Sequence, residues 1–154
     1  MLLKDKTSII TGCNRGIGLS ILETFAQNGA NVFACYRKKN DKIIDNCKNL
    51  SKKFGVKIYP VFFDLRNKDE LKNAFQEILN NAENIDILVN NAGIIHTSLF
   101  QMTKIESYRE IFEINFFSYI DFTQKISKLM TRKKNGSIIN ISSSAAHEAN
   151  IGRS

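Results

Sequence analysis

Thr11-Gly12-Cys13-Asn14-Arg15-Gly16-Ile17-Gly18 is the stretch that decides the fold. An apolar run, Thr7-Ser8-Ile9-Ile10, precedes it, and an amphipathic stretch over residues 17–28 follows. Strand, glycine-rich turn and helix therefore come in the order that a dinucleotide pyrophosphate requires. Glycine lets the backbone turn tightly and approach a phosphate closely. The helix start adds free N–H groups and the positive end of its dipole. A glycine motif alone says little, and its place between a strand and a helix carries the inference.

The rest of the chain repeats this alternation. Strands are expected over residues 7–11, 31–35, 57–62, 85–90 and 137–141, and helices over 17–28, 42–54, 69–82 and 107–131. In the third helix Leu71, Phe75, Ile78 and Leu79 recur at helical spacing, giving one apolar face. In the fourth, Ile111, Phe112, Phe116, Tyr119, Ile120, Ile126 and Leu129 mark nearly two faces, so that helix is expected to be buried or to meet another subunit. Strict alternation with β-branched strands predicts an α/β fold, a doubly wound, Rossmann-like parallel sheet in the order 3-2-1-4-5. Its ligand crevice lies at the carboxyl ends of the first and fourth strands, where residues 12–18 and 90–93 fall. Pro60, the single proline, lies in the third strand and suits an edge position.

Composition narrows the class further. A chain of 154 residues, 43% hydrophobic, builds one domain with a real core, so residues 1–154 read as one dinucleotide-binding domain. No apolar stretch is long enough to span a bilayer, and residues 1–6 lack the apolar core of a signal peptide, which predicts a cytoplasmic protein. Cys13, Cys35 and Cys47 show no zinc spacing and read as free thiols. His96 and His147 are isolated, so no metal site is expected. The net charge is +7, with clusters at Arg37-Lys38-Lys39 and Arg132-Lys133-Lys134. Without a recognised nucleic-acid motif this reads as solvated surface charge, and neither a nucleic-acid nor a membrane partner is expected.

The spacing Gly12-x-x-x-Gly16-x-Gly18 departs from the commoner Gly-x-Gly-x-x-Gly. Further along come Asp64-Leu65 after the third strand, Asn90-Asn91-Ala92-Gly93 after the fourth, Asn115 within Glu113-Ile114-Asn115, and Gly136-Ser137-Ile138-Ile139-Asn140-Ile141-Ser142-Ser143 around the fifth. In that order these motifs resemble the short-chain dehydrogenase/reductase family, most of all its 3-oxoacyl-(acyl-carrier-protein) reductase branch. The resemblance implies cofactor contacts from Gly12, Asn14, Arg15, Gly16, Ile17 and Gly18, an adenine contact from Asp64 beside Leu65, and close passage of Asn91, Ala92 and Gly93 along the cofactor ribose. It implies a carbonyl-binding catalytic Ser143, with Ser142 as the alternate register, and a relay-water role for Asn115. Simpler roles stand beside these. Asp64 could serve the dipole of the following helix, although Asp69 suits that better. Asn91 could satisfy buried backbone groups, and Asn115 could make a structural hydrogen bond across the sheet.

Cofactor choice turns on Ala34-Cys35-Tyr36-Arg37 at the end of the second strand. No carboxylate is present there to bond a ribose 2′-OH. Arg37 and, from the glycine loop, Arg15 offer charged forks suited to a 2′-phosphate. The expected cofactor is NADP(H) rather than NAD(H). Tyr36 either stacks on the adenine or plays no part.

The family's acid–base chemistry uses a Tyr-x-x-x-Lys pair, the lysine lowering a tyrosine pKa that is otherwise near about 10. None of Tyr36, Tyr59, Tyr108 or Tyr119 has a lysine four positions later. The chain is therefore expected to be the N-terminal part of a longer reductase, its sheet interrupted after the fifth strand. The resemblance implies hydride transfer between NADP(H) and a carbonyl or hydroxyl of a small molecule, such as a 3-oxoacyl thioester or a sugar. The alternative is a catalytically inactive NADP(H)-binding module. A homodimer or homotetramer is expected, through the helix over residues 107–131.

Overall fold

The computed structural model describes residues 1–143. Its strands are β1 (Thr7–Thr11), β2 (Asn31–Tyr36), β3 (Ile58–Phe62), β4 (Ile87–Asn90) and β5 (Ser137–Asn140). They form one sheet in the order β3-β2-β1-β4-β5, and every pairing is parallel. This is the order expected from the alternation of the sequence. Pro60 lies on the edge strand β3, opposite Ala34, and because Lys57 and Phe63 face β2 with their backbone groups, the nitrogen of Pro60 turns to the open edge and no ladder bond is lost.

Helices α1 (Gly16–Gln27), α2 (Asp41–Phe54) and α3 (Lys68–Asn81) make the crossovers. The two-residue period of the strands divides the core between the two faces of the sheet. Ile9, Phe33 and Leu88 pack with Leu71, Ile78, Phe122 and Ile126 on one face. Ile10, Val32, Ala34 and Val89 pack with Leu22 and Leu50 on the other. The N-termini of α2 and α3 are closed by asparagines: Asn40 Oδ1 accepts the Lys42 N–H, and Asn67 Oδ1 accepts the Asp69 and Glu70 N–H groups. Helix α1 has neither a side-chain cap nor an acidic residue in its first turn.

The expected helix over residues 107–131 is built differently. Helix α4 (Ile105–Phe112) runs into a π turn over Glu113–Phe117, and α5 (Ser118–Lys133) continues from it. The extra residue of a π turn shifts the helix face, which a single 3.6-residue period does not register. The two apolar faces thus resolve into a buried stripe, Phe122, Ile126 and Met130, and an exposed group, Phe112, Phe116, Phe117 and Ile120. Other boundaries move by one or two residues. Strand β4, for example, starts at Ile87, and Asp86 before it bonds the backbone of Thr7 through its own N–H and its carboxylate. Among the described residues no helix is long and apolar enough to cross a membrane.

Ile126 is fully buried, whereas Ile138 on β5 is exposed. Ile126→Ala should cost about 2–5 kcal/mol of unfolding free energy, and Ile138→Ala within about 0.5 kcal/mol of nothing. Urea titration compares the two, and equal costs would contradict this core assignment.

Candidate functional site

The glycine loop turns out of β1 with Gly12 at φ +76° and Gly16 at φ +59°. A Cβ on Gly12 would lie 2.9 Å from Ala92 Cα, and one on Gly18 would lie 2.2 Å from the Gly12 carbonyl oxygen. These two glycines let the helix start, the turn and the segment after β4 close upon one another. Gly16 has nothing within 4 Å of its Cβ direction, so its positive φ calls for glycine and its surroundings stay open. The loop therefore leaves room for a ligand above the uncapped, acid-free N-terminus of α1.

The ends of β1 and β4 are latched together. The Thr11 hydroxyl accepts the backbone N–H groups of Asn91 (2.9 Å) and Ala92 (3.0 Å) and reaches the Val89 carbonyl at 3.4 Å. The Asn91 side chain returns the bond, donating Nδ2–H to the Thr11 carbonyl at 2.9 Å. Asn91 thus fills the backbone-satisfying role that its amide suggested. Thr11 escaped sequence reasoning as a site residue. A hydroxyl at the end of a buried strand must find partners, and that was the available signal.

Over these ends opens a cleft of about 690 Å³. Gly12, Asn14, Arg15, Gly16, Ile17, Gly18, Arg37, Asp64, Leu65, Asn91, Ala92 and Gly93 all line it, with Phe63, Ile94, Ile95 and Ile114 adding apolar surface. Its described lining holds two cations, Arg15 and Arg37, and one acid, Asp64. The guanidinium of Arg66 forks onto the Asp64 carboxylate, with Nε at 3.0 Å and Nη2 at 2.6 Å, while its Nη1 reaches Glu110 at 2.9 Å. These bonds from Arg66 hold the Asp64 carboxyl below its ordinary pKa against partial burial, and the charge of Arg37 adds to the effect.

Tyr36 does not present a stacking ring to the cleft. It is 4% exposed, its hydroxyl lies 3.3 Å from Cys47 Sγ, and its ring packs 5.9 Å from that of Phe62. Of the two readings of Tyr36, adenine stacking or no part in binding, these contacts favour the second: its side chain ties α2 to β2. Burial pushes its hydroxyl pKa up. Cys13, Cys35 and Cys47 are buried free thiols, and burial raises all three, Cys13 to about 12.

Asn115 sits in the π turn, and its amide clasps one peptide unit. Nδ2 donates to the Ile94 carbonyl at 2.8 Å, and Oδ1 accepts the Ile94 N–H at 2.9 Å. The side chain thus bonds the segment after β4 rather than reaching across the sheet. A Cβ on Gly93 would come within 3.3 Å of Asn115 Oδ1, so the small residue admits this approach. Ser142 and Ser143 follow β5, are exposed, and are not among the residues that line the cleft. Ser144 and His147 lie outside the described residues. Among the described residues no group of three or more His, Cys, Asp or Glu is placed to hold a metal ion.

A parallel sheet in this order, with a glycine-lined cleft where the strand order reverses, is the architecture of a Rossmann-like dinucleotide-binding fold. The family model for short chain dehydrogenase matches residues 6–154, and the chain belongs to that family. The 3-oxoacyl-[acyl-carrier-protein] reductase of Aquifex aeolicus is 33% identical over 151 residues, covering 98% of this chain and 60% of that protein. The Thermotoga maritima enzyme of the same name is 31% identical over 153 residues, 99% of this chain and 61% of that one. The chain thus spans about three-fifths of the length of these curated relatives. A crystal structure of L-sorbose reductase from Gluconobacter frateurii, complexed with NADPH and L-sorbose, superposes with a TM-score of 0.84 at 27% identity, over 90% of this chain and 52% of that one.

A carboxyl with a depressed pKa stabilises the fold above its unfolded value, near about 4, and loses that contribution as pH falls through the folded value. The stability gap between the parent and Asp64→Asn should stay level from about pH 7 to 5 and shrink in stronger acid. Urea midpoints across pH measure it, and a gap unchanged down to about pH 2 would contradict the Arg66 pairing.

Proposed function

We propose that this chain is the cofactor-binding part of an NADP(H)-dependent oxidoreductase acting on a carbonyl or hydroxyl group of a small molecule. The charge around the cleft carries this reading. Strand β2 ends without a carboxylate, while Arg37, just past that strand, and Arg15 of the glycine loop both line the cleft. A 2′-phosphate placed there meets two guanidinium groups, which bind phosphate through charged, forked hydrogen bonds. The open space at Gly16 and the free N–H groups of α1 suit the pyrophosphate. When bound, the nicotinamide cofactor supplies or accepts the hydride.

The chain's own groups have separable tasks in this reading. Asn91, Ala92 and Gly93 bring backbone close to the ribose. Asp64 accepts from the adenine amino group with the lone pairs that Arg66 leaves free. Asn115 acts through position, because both polar atoms of its amide hold Ile94 in the cleft wall. Ser143 offers its hydroxyl to the substrate carbonyl oxygen, just past the end of β5 and beside the strand whose end forms the cleft. The substrate class follows the relatives, a 3-oxoacyl thioester or a sugar-like carbonyl. NADPH should bind at least tenfold more tightly than NADH, by roughly 1.4 kcal/mol, and Arg37→Asp should narrow or invert the gap. Calorimetry reads both affinities, and equal values in the parent would defeat the assignment.

We also propose that the protein is a homodimer or homotetramer through α4, the π turn and α5. Phe112, Phe116, Phe117 and Ile120 stand exposed along that unit, and an apolar group of this kind marks a contact surface. Phe116→Asp should lower the sedimentation coefficient toward that of the monomer, and an unchanged value would count against this surface.

A further inference from the structure

We infer that Arg66, which does not itself line the cleft, makes the cleft selective for a 2′-phosphorylated cofactor by occupying the Asp64 carboxylate that would otherwise pair with Arg37. The inference rests on the NADP(H) reading and adds a residue that the cofactor motifs do not include. Its starting point is a conflict of charge. A cleft meant for a phosphate carries in its lining both a carboxylate, Asp64, and the arginine proposed to bind that phosphate, Arg37. Strands β2 and β3 pair as far as Tyr36 opposite Phe62, and the Phe63 N–H bonds the Tyr36 carbonyl at 2.9 Å. Arg37 and Asp64 therefore leave the ends of adjacent strands side by side. Left to themselves they are oppositely charged neighbours, and an Asp64–Arg37 pair would take the guanidinium from the phosphate.

Arg66 removes that conflict from outside the cleft. Its side chain forks onto both carboxylate oxygens, and its backbone N–H donates to Asp64 Oδ1 at 3.0 Å. Glu110 on α4 holds the remaining arm of the fork at 2.9 Å. The turn beneath is pinned too, because the Asp64 N–H donates to Glu70 Oε2 at 2.8 Å while Asn67 caps α3. Asp64 thus has a fixed cationic partner already, and Arg37 stays available. The lowered pKa of Asp64, with Arg37 among its causes, agrees with carboxylate and guanidinium being near enough to interact. Arg66 is a positioning residue: it acts through Asp64 and Arg37 and needs no contact with the cofactor. Its side chain is 49% exposed, so the expected effect is screened and modest.

A double-mutant cycle tests this with two probes that lack the nicotinamide, adenosine 2′,5′-bisphosphate and adenosine 5′-monophosphate. The quantity read by calorimetry is the ratio of their affinities. In Arg66→Gln the preference for the bisphosphate should fall about fivefold, the size expected of a half-exposed ion pair. Asp64→Asn alone should leave the ratio within about twofold of the parent, because Arg66 already occupies that carboxylate. The double variant should return to within about twofold of the parent, since no free carboxylate is left to capture Arg37. Two outcomes overturn the inference while leaving the cofactor reading intact. In the first, Asp64→Asn raises the ratio as much as Arg66→Gln lowers it, which makes Arg66 merely one more attractive charge. In the second, Arg66→Gln weakens both probes equally, which makes its role structural. A parent protein with no preference for the bisphosphate overturns the NADP(H) reading and this inference with it.

Discussion

The cleft depends on one reciprocal contact between the ends of β1 and β4. The Thr11 hydroxyl takes two backbone N–H groups, and the Asn91 amide gives one hydrogen bond back. These residues are 80 positions apart in the chain, and their strands lie at the point where the sheet reverses its order. A crevice opens there because the connections on either side leave toward opposite faces. Without the latch the glycine loop and the Asn-Asn-Ala-Gly turn are free to splay. With it, Gly12 and Gly18 pack so closely that no larger side chain fits between them.

A second set of contacts frames the cleft from below. Asn115 clasps the peptide of Ile94, and the Ser118 hydroxyl lies 2.7 Å from both the Leu65 and the Glu113 carbonyl oxygens, which share its one proton. Glu110 adds a hold on Arg66 and, through it, on Asp64. The α4–π–α5 unit thus grips the loops after β3 and β4 with three side chains. The π turn belongs to this arrangement, since Asn115 and the Ser118 contact to Glu113 both fall on it. The same unit carries the exposed phenylalanines, so the surface proposed for subunit contact and the walls of the cleft share one element.

The sheet was legible because its signals are local and repeated. Apolar runs alternating with helical periods gave the strand order, and Pro60 marked the edge. The lining from the glycine loop and from Asn91, Ala92 and Gly93 was legible because glycine spacing and strand ends place it, whereas Asp64 and Leu65 came from the family resemblance. The π turn was not, since one inserted residue does not change which side chains are apolar. Which of its two readings Tyr36 takes was not legible for a related reason: a strand end says where a residue sits, but not that its ring packs on Phe62 and Cys47. Thr11 was hidden because its partner Asn91 is distant in sequence, and Arg66 because a charge two residues from Asp64 reads as loop charge until Glu110, 44 residues on, is seen to hold its other arm.

The central claim is that a dinucleotide lies along the glycine loop and across the β1–β4 latch. Amide chemical shifts followed during an NADPH titration test it most directly. The account predicts that the largest shifts cluster at residues 12–18, at Arg37 and at residues 91–94, with those of α2 and α3 nearly still. Saturable shifts centred elsewhere, or none at all in the folded protein, would contradict it.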